Sequence, residues 1–202
     1  MLTMISEVHW LVWVSVALSI VLYVVLIRQI IKSTTKQSFA TWSLWTMLDV
    51  IALVTTLMQE GNFLILVIYV IGGTVISLII LRWQGFSWEP FDLVVLALVI
   101  ICMCVWAVSG PYGATITSTV AVFIAGFPLM KMAFQKPHEQ NLFIWTGFTI
   151  ANALATAGGK EWSVPERFYP AVCTLLTGIL LLGALQKLWR KAPPLAPLAR
   201  VA

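Results

Sequence analysis

Charge is what this chain has least of. Only 10% of its 202 residues are Asp, Glu, Lys or Arg, against about 25% in a soluble domain. So little polar cover excludes a water-soluble globule of this size, and it equally excludes a disordered regulator, which is charge-rich and poor in apolar residues. Cysteine is nearly absent, and three copies give no disulfide framework. The two histidines, His9 and His138, stand in polar flanks and support no catalytic triad. There is no phosphate-binding glycine loop, no zinc motif and no acid–base carboxylate pair. The sequence therefore does not read as an enzyme, and no metal or cofactor is expected.

Apolar residues are abundant, at 60% of the chain with a mean hydropathy of +0.96. The bilayer is the solvent this composition suits, and a span needs about 20 mostly apolar residues. The first stretch, Trp10 to Ile27, has Glu7 before it and Arg28, Lys32 and Lys36 after it. A cleaved signal peptide has the opposite polarity, so this reads as a permanent helix with its N-terminus outside. The second stretch runs from Phe39 to Met58 and contains Asp49; the third runs from Phe63 to Leu81. Between Asp92 and Lys131 no charge occurs, too long for one crossing. The cluster SGPYG at Ser109–Gly113 divides it, since Gly and Pro together favour a turn. That gives a fourth helix at about Leu93–Val108 and a fifth at about Ala114–Met130. A sixth follows at Leu142–Ala157 and a seventh at Phe168–Gln186, before a proline-rich tail.

Seven spans sort the basic residues sharply. Arg28, Lys32, Lys36, Arg82, Lys131, Lys136, Lys187, Arg190, Lys191 and Arg200 fall on one side, and only Lys160 and Arg167 on the other. The richer side is cytoplasmic by the positive-inside rule, which puts the C-terminus inside, in a plasma or inner membrane. The net charge of +4 is then an orientation signal, and no nucleic-acid partner is implied. Arg28, Lys32 and Lys36 are expected to anchor on anionic lipid.

Sliding the chain by 100 residues aligns Lys36 with Lys136, Trp45 with Trp145, Thr46 with Thr146, Thr56 with Thr156, Tyr69 with Tyr169 and Thr74 with Thr174, without a gap from residue 28 to residue 82. Transporter folds are often built from such repeats. The expected architecture is a single all-α membrane domain of seven transmembrane helices in a 3+1+3 arrangement. A three-helix repeat spans 8–82, a linker helix 91–109, a second, parallel repeat 114–187 and a cytoplasmic tail 188–202. Two like bundles would face each other across a central cleft.

The stretches RQIIKSTTKQSFATWSLW (Arg28–Trp45) and PLMKMAFQKPHEQNLFIW (Pro128–Trp145) carry a resemblance to the PQ-loop clan, especially the SWEET sugar facilitators. The first copy keeps Gln29 with Arg28 where the pattern has proline; the second keeps Pro128 with Leu129 where it has glutamine. The asparagine that the sugar-facilitator pattern has on the third helix of each repeat is replaced here by Thr74 and Thr174. EQNLFIWTGFTIANA (Glu139–Ala153) also looks somewhat like the penultimate helix of the PnuC-type vitamin carriers. The resemblance implies a transporter of a small polar solute such as a sugar, amino acid or vitamin, working by alternating access as a facilitator or a proton-coupled carrier. It also implies a gating hinge at Pro128 and Gln29. A seven-helix receptor or sensor that binds without moving its ligand, like the KDEL-type receptors, is the alternative on the same scaffold.

Asp49 is the only formally charged side chain placed in mid-span, and such residues mark substrate, ion or proton pathways. Asn152, on the sixth span, lies three positions beyond the partner of Asp49 in the repeat, so both can face the cleft. Trp45 and Trp145 offer stacking faces, whereas Trp42 fits an interfacial belt. Tyr69 and Tyr169, with Thr74 and Thr174, offer paired hydroxyls. Gly72, Gly73 and Ser77 form a small-residue surface for close helix packing. The expected partners are a small-molecule solute and lipid, with a homo-oligomer left open.

Overall fold

The structure is a computed structural model and describes residues 9–32 and 38–189. Glu7, Lys36, Arg190, Lys191, Arg200 and the proline-rich tail lie outside the described residues, as does the Lys36–Lys136 match. Every regular element among the described residues is helical. These are α1 (Trp10–Lys32), α2 (Phe39–Met58), α3 (Leu64–Trp83), α4 (Asp92–Ala125), α5 (Phe127–Gln135), α6 (Leu142–Ala157) and α7 (Tyr169–Leu185). Short helical turns at Pro137–Glu139, Val164–Phe168 and Gln186–Leu188 complete the set.

Several helices are long and apolar enough to cross a bilayer: α1, α2, α3, the run from α4 through α5, and the run Val164–Leu188. The chain is therefore an α-helical, multi-pass membrane protein. Its outer surface agrees. Val14, Ile20, Val21, Val24, Met47, Val50, Val54, Ile71, Val75 and Leu78 are all exposed, a density of apolar surface that water does not tolerate. Exposed aromatic residues cluster at the two ends of the helices, with Trp10, Tyr112 and Trp162 at one and Trp83, Phe86, Trp88 and Trp189 at the other. Amphipathic rings favour the headgroup level.

The 34 residues of α4 would reach roughly 50 Å if straight. They do not run straight. Gly110 has φ 72° and ψ −169°, a conformation open to glycine, and Pro111 follows it. Contacts with α2 show that the chain doubles back there. Asp92 accepts from Thr41 Oγ1 at 2.6 Å, the Pro111 carbonyl accepts from Gln59 Nε2 at 3.3 Å, and the Val122 carbonyl accepts from Trp45 Nε1 at 3.2 Å. Residues 92–109 thus ascend along α2 and residues 111–125 descend along it. The SGPYG turn read from the sequence is this reversal, concentrated at one glycine. In the ascending limb, burial is confined to Asp92, Val95, Val99 and Cys102, a single helical stripe. That limb lies at the periphery.

Local chemistry sets the helix starts. Ser38 caps α2 through Oγ, which accepts from Thr41 N–H at 3.2 Å. The N–H groups of Phe39 and Ala40 are taken by Ser87. Asn141 caps α6, with Oδ1 accepting from Phe143 and Ile144. These bonds satisfy donors that have no partner inside their own helix. The fifth span expected at 114–130 is interrupted: α4 ends at Ala125, Gly126 is the junction, and Pro128 sits in the first turn of α5. Its missing N–H costs nothing there.

The helices pack in a ring: α3 lies between α1 and α2, and α7 between α6 and the α5 end of the second limb. The ring closes through α2 against α4 and α1 against α6. Close approaches require the small residues. A Cβ on Gly72 would enter the Tyr23 ring, one on Gly73 would strike Thr46 Oγ1, and one on Gly147 would enter Leu22.

Candidate functional site: a one-ended cavity above Asp49

At the centre of this ring is a cavity of about 450 Å³, within the range that holds small ligands. Its mouth is formed by Gln29, Glu139 and Asn141, and its walls by Trp42, Trp45, Leu129, Met132, Trp145 and Leu180. Its floor is Asp49 with Tyr23, Tyr69, Phe148 and Tyr169. The mouth thus lies at the end of the bundle where α1 finishes and α2 begins.

Two tyrosines organise the floor. Tyr169, on α7, donates from its hydroxyl to Asp49 Oδ1 at 2.7 Å. Asn152 Nδ2, on α6, donates to the hydroxyl of Tyr69, on α3, at 2.6 Å, and to the Phe148 carbonyl at 2.8 Å. These bonds tie α7 to α2 and α6 to α3, across the cavity floor. The rings of Tyr69 and Tyr169 meet edge-on at 6.1 Å. Tyr23 packs edge-on against Tyr69 at 5.8 Å and Phe148 at 5.4 Å, a favoured quadrupolar arrangement. Asp49 is 9% exposed and Asn152 is fully buried. Oδ1 of Asn152 has no hydrogen-bond partner among the described residues.

Like contacts recur in α2 and α6. Thr46 donates to the Trp42 carbonyl and Thr149 to the Trp145 carbonyl. Ser38 and Asn141 are caps, and Asp49 and Asn152 are the two polar groups bound to tyrosines. Every one of these pairs is 103 residues apart. Between α3 and α7 the pairs Tyr69–Tyr169 and Thr74–Thr174 keep the spacing of 100. Trp145 therefore matches Trp42 in place, and Phe148 matches Trp45. A slip of three residues is 300° of helix, close to one turn, so the buried face is retained.

The opposite end is closed. Gly61 packs on Pro165 with no room for a Cβ. Asn62 N–H donates to the Pro165 carbonyl at 3.1 Å, and its side chain to the Ala155 carbonyl at 3.3 Å. Gln59 Nε2 donates to Thr115 Oγ1 at 2.7 Å. Arg167 holds the loop after α6 through the carbonyls of Thr156, Gly159 and Glu161, and lies over the Trp162 ring. Fully buried Leu66, Ile65 and Ala155 fill the layer between this end and the floor.

Of the residues singled out by sequence, Asp49, Trp45, Trp145, Tyr69, Tyr169 and Gln29 line one cavity. Asn152 stands behind the floor on Tyr69. Thr74 is exposed and donates to the Val70 carbonyl, and Thr174 donates to the Pro170 carbonyl; neither lines the cavity. Pro128 is not in the lining, although its neighbour Leu129 is. Trp42 is in the cavity wall instead of the interfacial belt. Sequence reasoning missed Tyr23, Phe148, Gln140 and Glu139. The 103 register would have paired Phe148 with Trp45.

The fold and site define a helical membrane protein with a central, one-ended cavity and a single buried carboxylate at its floor. No protein-family model, curated protein or solved structure matches the chain. Among the described residues no cluster of three metal-binding side chains occurs.

Proposed function

We propose that this protein is a membrane carrier that moves a small polar solute by alternating access. In this reading seven crossings form two parallel three-helix repeats, and residues 92–109 are the linker between them. The support is the ring order, with α3 between α1 and α2 and α7 between α6 and α5, together with the crossed tyrosine bonds to Asp49 and Asn152. The observation that carries the proposal is the shape of the cavity: open at one end, plugged at the other, with its floor on the line between the bundles. That is the geometry of one half of an access cycle.

The distribution of basic residues supports an orientation. The open end carries Arg28, Lys131 and Lys136, and the plugged end Lys160 and Arg167, so the open end faces the cytoplasm. To face outward, the bundles would separate at Gly61–Pro165 and Asn62–Ala155 and close over Gln29 and Glu139. Gly126 and Pro128, at the junction of α4 and α5, provide a place to bend. Reconstituted uptake tests the proposal. The expected result is saturable uptake from a solute panel, reduced by Asp49→Asn. Saturable binding with no uptake would instead mark a receptor.

A further inference from the structure

We infer that the solute recognised in this cavity is an organic monocation, an amine or quaternary ammonium with a small apolar body. The inference rests on the carrier reading of the site and names its substrate class.

Three observations carry it. The first is charge. Asp49 is at the floor, and no Lys, Arg or His lines the cavity among the described residues. The other carboxylate in the lining, Glu139 at the mouth, pairs with exposed Lys136 at 3.3 Å. Lys187 is bound at the rim to the Gln140 carbonyl. Below the rim one acidic group stands with no countercharge. Burying it is costly without a cation.

The second is what surrounds it. Tyr23, Tyr69, Tyr169, Trp45 and Trp145 share the lining with Asp49. Aromatic faces bind cations through their quadrupole, and they hold alkylammonium groups that cannot donate hydrogen bonds. The third is the supply of free neutral hydrogen-bonding groups at the floor, which is limited to the hydroxyls of Tyr23 and Tyr69. The indole N–H groups of Trp45 and Trp145 are already spent on the Val122 carbonyl and Gln140 Oε1. The Tyr169 hydroxyl is spent on Asp49. A polyhydroxylated neutral solute would find few free partners at the floor, whereas Asp49 receives only one hydrogen bond from the described protein and can face a cation with its second oxygen.

The test compares choline with 3,3-dimethylbutan-1-ol, which has the same shape without the charge. The purified full-length chain in detergent is titrated with each by calorimetry. Choline is expected to bind at least tenfold more tightly. Asp49→Asn is expected to remove that preference and Asp49→Glu to retain most of it, with the helical circular dichroism of both unchanged. Trp45→Leu is expected to weaken choline by a few-fold to about thirtyfold. Equal binding of the two probes, or tighter binding of the alcohol, would overturn the inference. So would an intact choline preference in a folded Asp49→Asn protein. Uptake into proteoliposomes separates the two readings. Choline bound selectively but not moved supports the cation site and removes the carrier. Glucose moved in preference to choline overturns the cation inference and leaves the carrier standing.

Discussion

Removing one oxygen atom from Tyr169 should cost much more than removing the same atom from Tyr69. Tyr169 makes the one hydrogen bond that the described protein gives to the Asp49 carboxylate, at 2.7 Å in a 9% exposed setting. Hydrogen bonds to charged groups contribute about 1.5–3 kcal/mol. In Tyr169→Phe the ring still fills the floor, so packing is conserved and the loss is electrostatic. Tyr69 accepts from a neutral amide, Asn152 Nδ2, which also holds the Phe148 carbonyl. Tyr69→Phe leaves that second bond in place, so the cost is about 0.5–1.5 kcal/mol. Double-mutant cycles isolate each pair. The pair Asp49→Ala with Tyr169→Phe should show a coupling of about 1.5–3 kcal/mol, and Asn152→Ala with Tyr69→Phe about 0.5–1.5 kcal/mol. Unfolding in mixed detergent micelles, followed by tryptophan fluorescence, supplies the four free energies for each cycle. Coupling below about 0.5 kcal/mol at Asp49–Tyr169, or equal coupling in the two cycles, would refute the view that the floor is built around a carboxylate.

Other consequences can be measured. Gly72→Leu drives a side chain into the Tyr23 ring and should destabilise by about 1–3 kcal/mol, read in the same unfolding assay. Thr74→Val alters an exposed residue that bonds only its own helix. It should change stability by no more than about 0.5 kcal/mol and leave uptake at the wild-type rate. Gly61→Ala cannot fit against Pro165, so a cysteine introduced at Leu66, fully buried in the closed layer, should react faster with a thiol reagent added outside. Pro128→Ala should slow uptake while leaving equilibrium binding unchanged, and unchanged uptake kinetics would count against a bend at this junction.

The sequence was most legible where one physical cause acted alone. All-round apolar stretches could only be helices in lipid, and their positions agree with α1, α2, α3, α6 and α7 to within a few residues. SGPYG located the reversal at Gly110 because no other residue type there tolerates φ 72°. A carboxylate in the middle of a span pointed to the cavity floor for the same reason, since nothing in lipid would repay it. The correspondence between α2 and α6 was hidden. A slip of three residues turns the helix by 300°, so hydrophobic periodicity reads nearly the same at 100 and 103. Trp42 and Trp45 then offer two candidate partners for Trp145. Only the caps and the threonine back-bonds, which depend on exact position, separate them. Pro128 was expected to be a hinge inside one span at about Ala114–Met130, because sequence does not reveal that the helix already ends at Ala125. Tyr23 and Phe148 carry no signal of their own. They are apolar rings on apolar helices until the packing brings them against Tyr69.

Alternating access is the central claim, and paired spin-label distances in nanodiscs test it most directly. One pair, at Gln29 and Glu139, spans the mouth; the other, at Met58 and Trp162, spans the plugged end on exposed positions. Two states of a carrier differ by only a few kcal/mol, so both pairs should show two distance populations. In Gly61→Ala the Met58–Trp162 distance should lengthen as the Gln29–Glu139 distance shortens. A single, unchanged distance at the plugged end, with or without Gly61→Ala, would contradict the account.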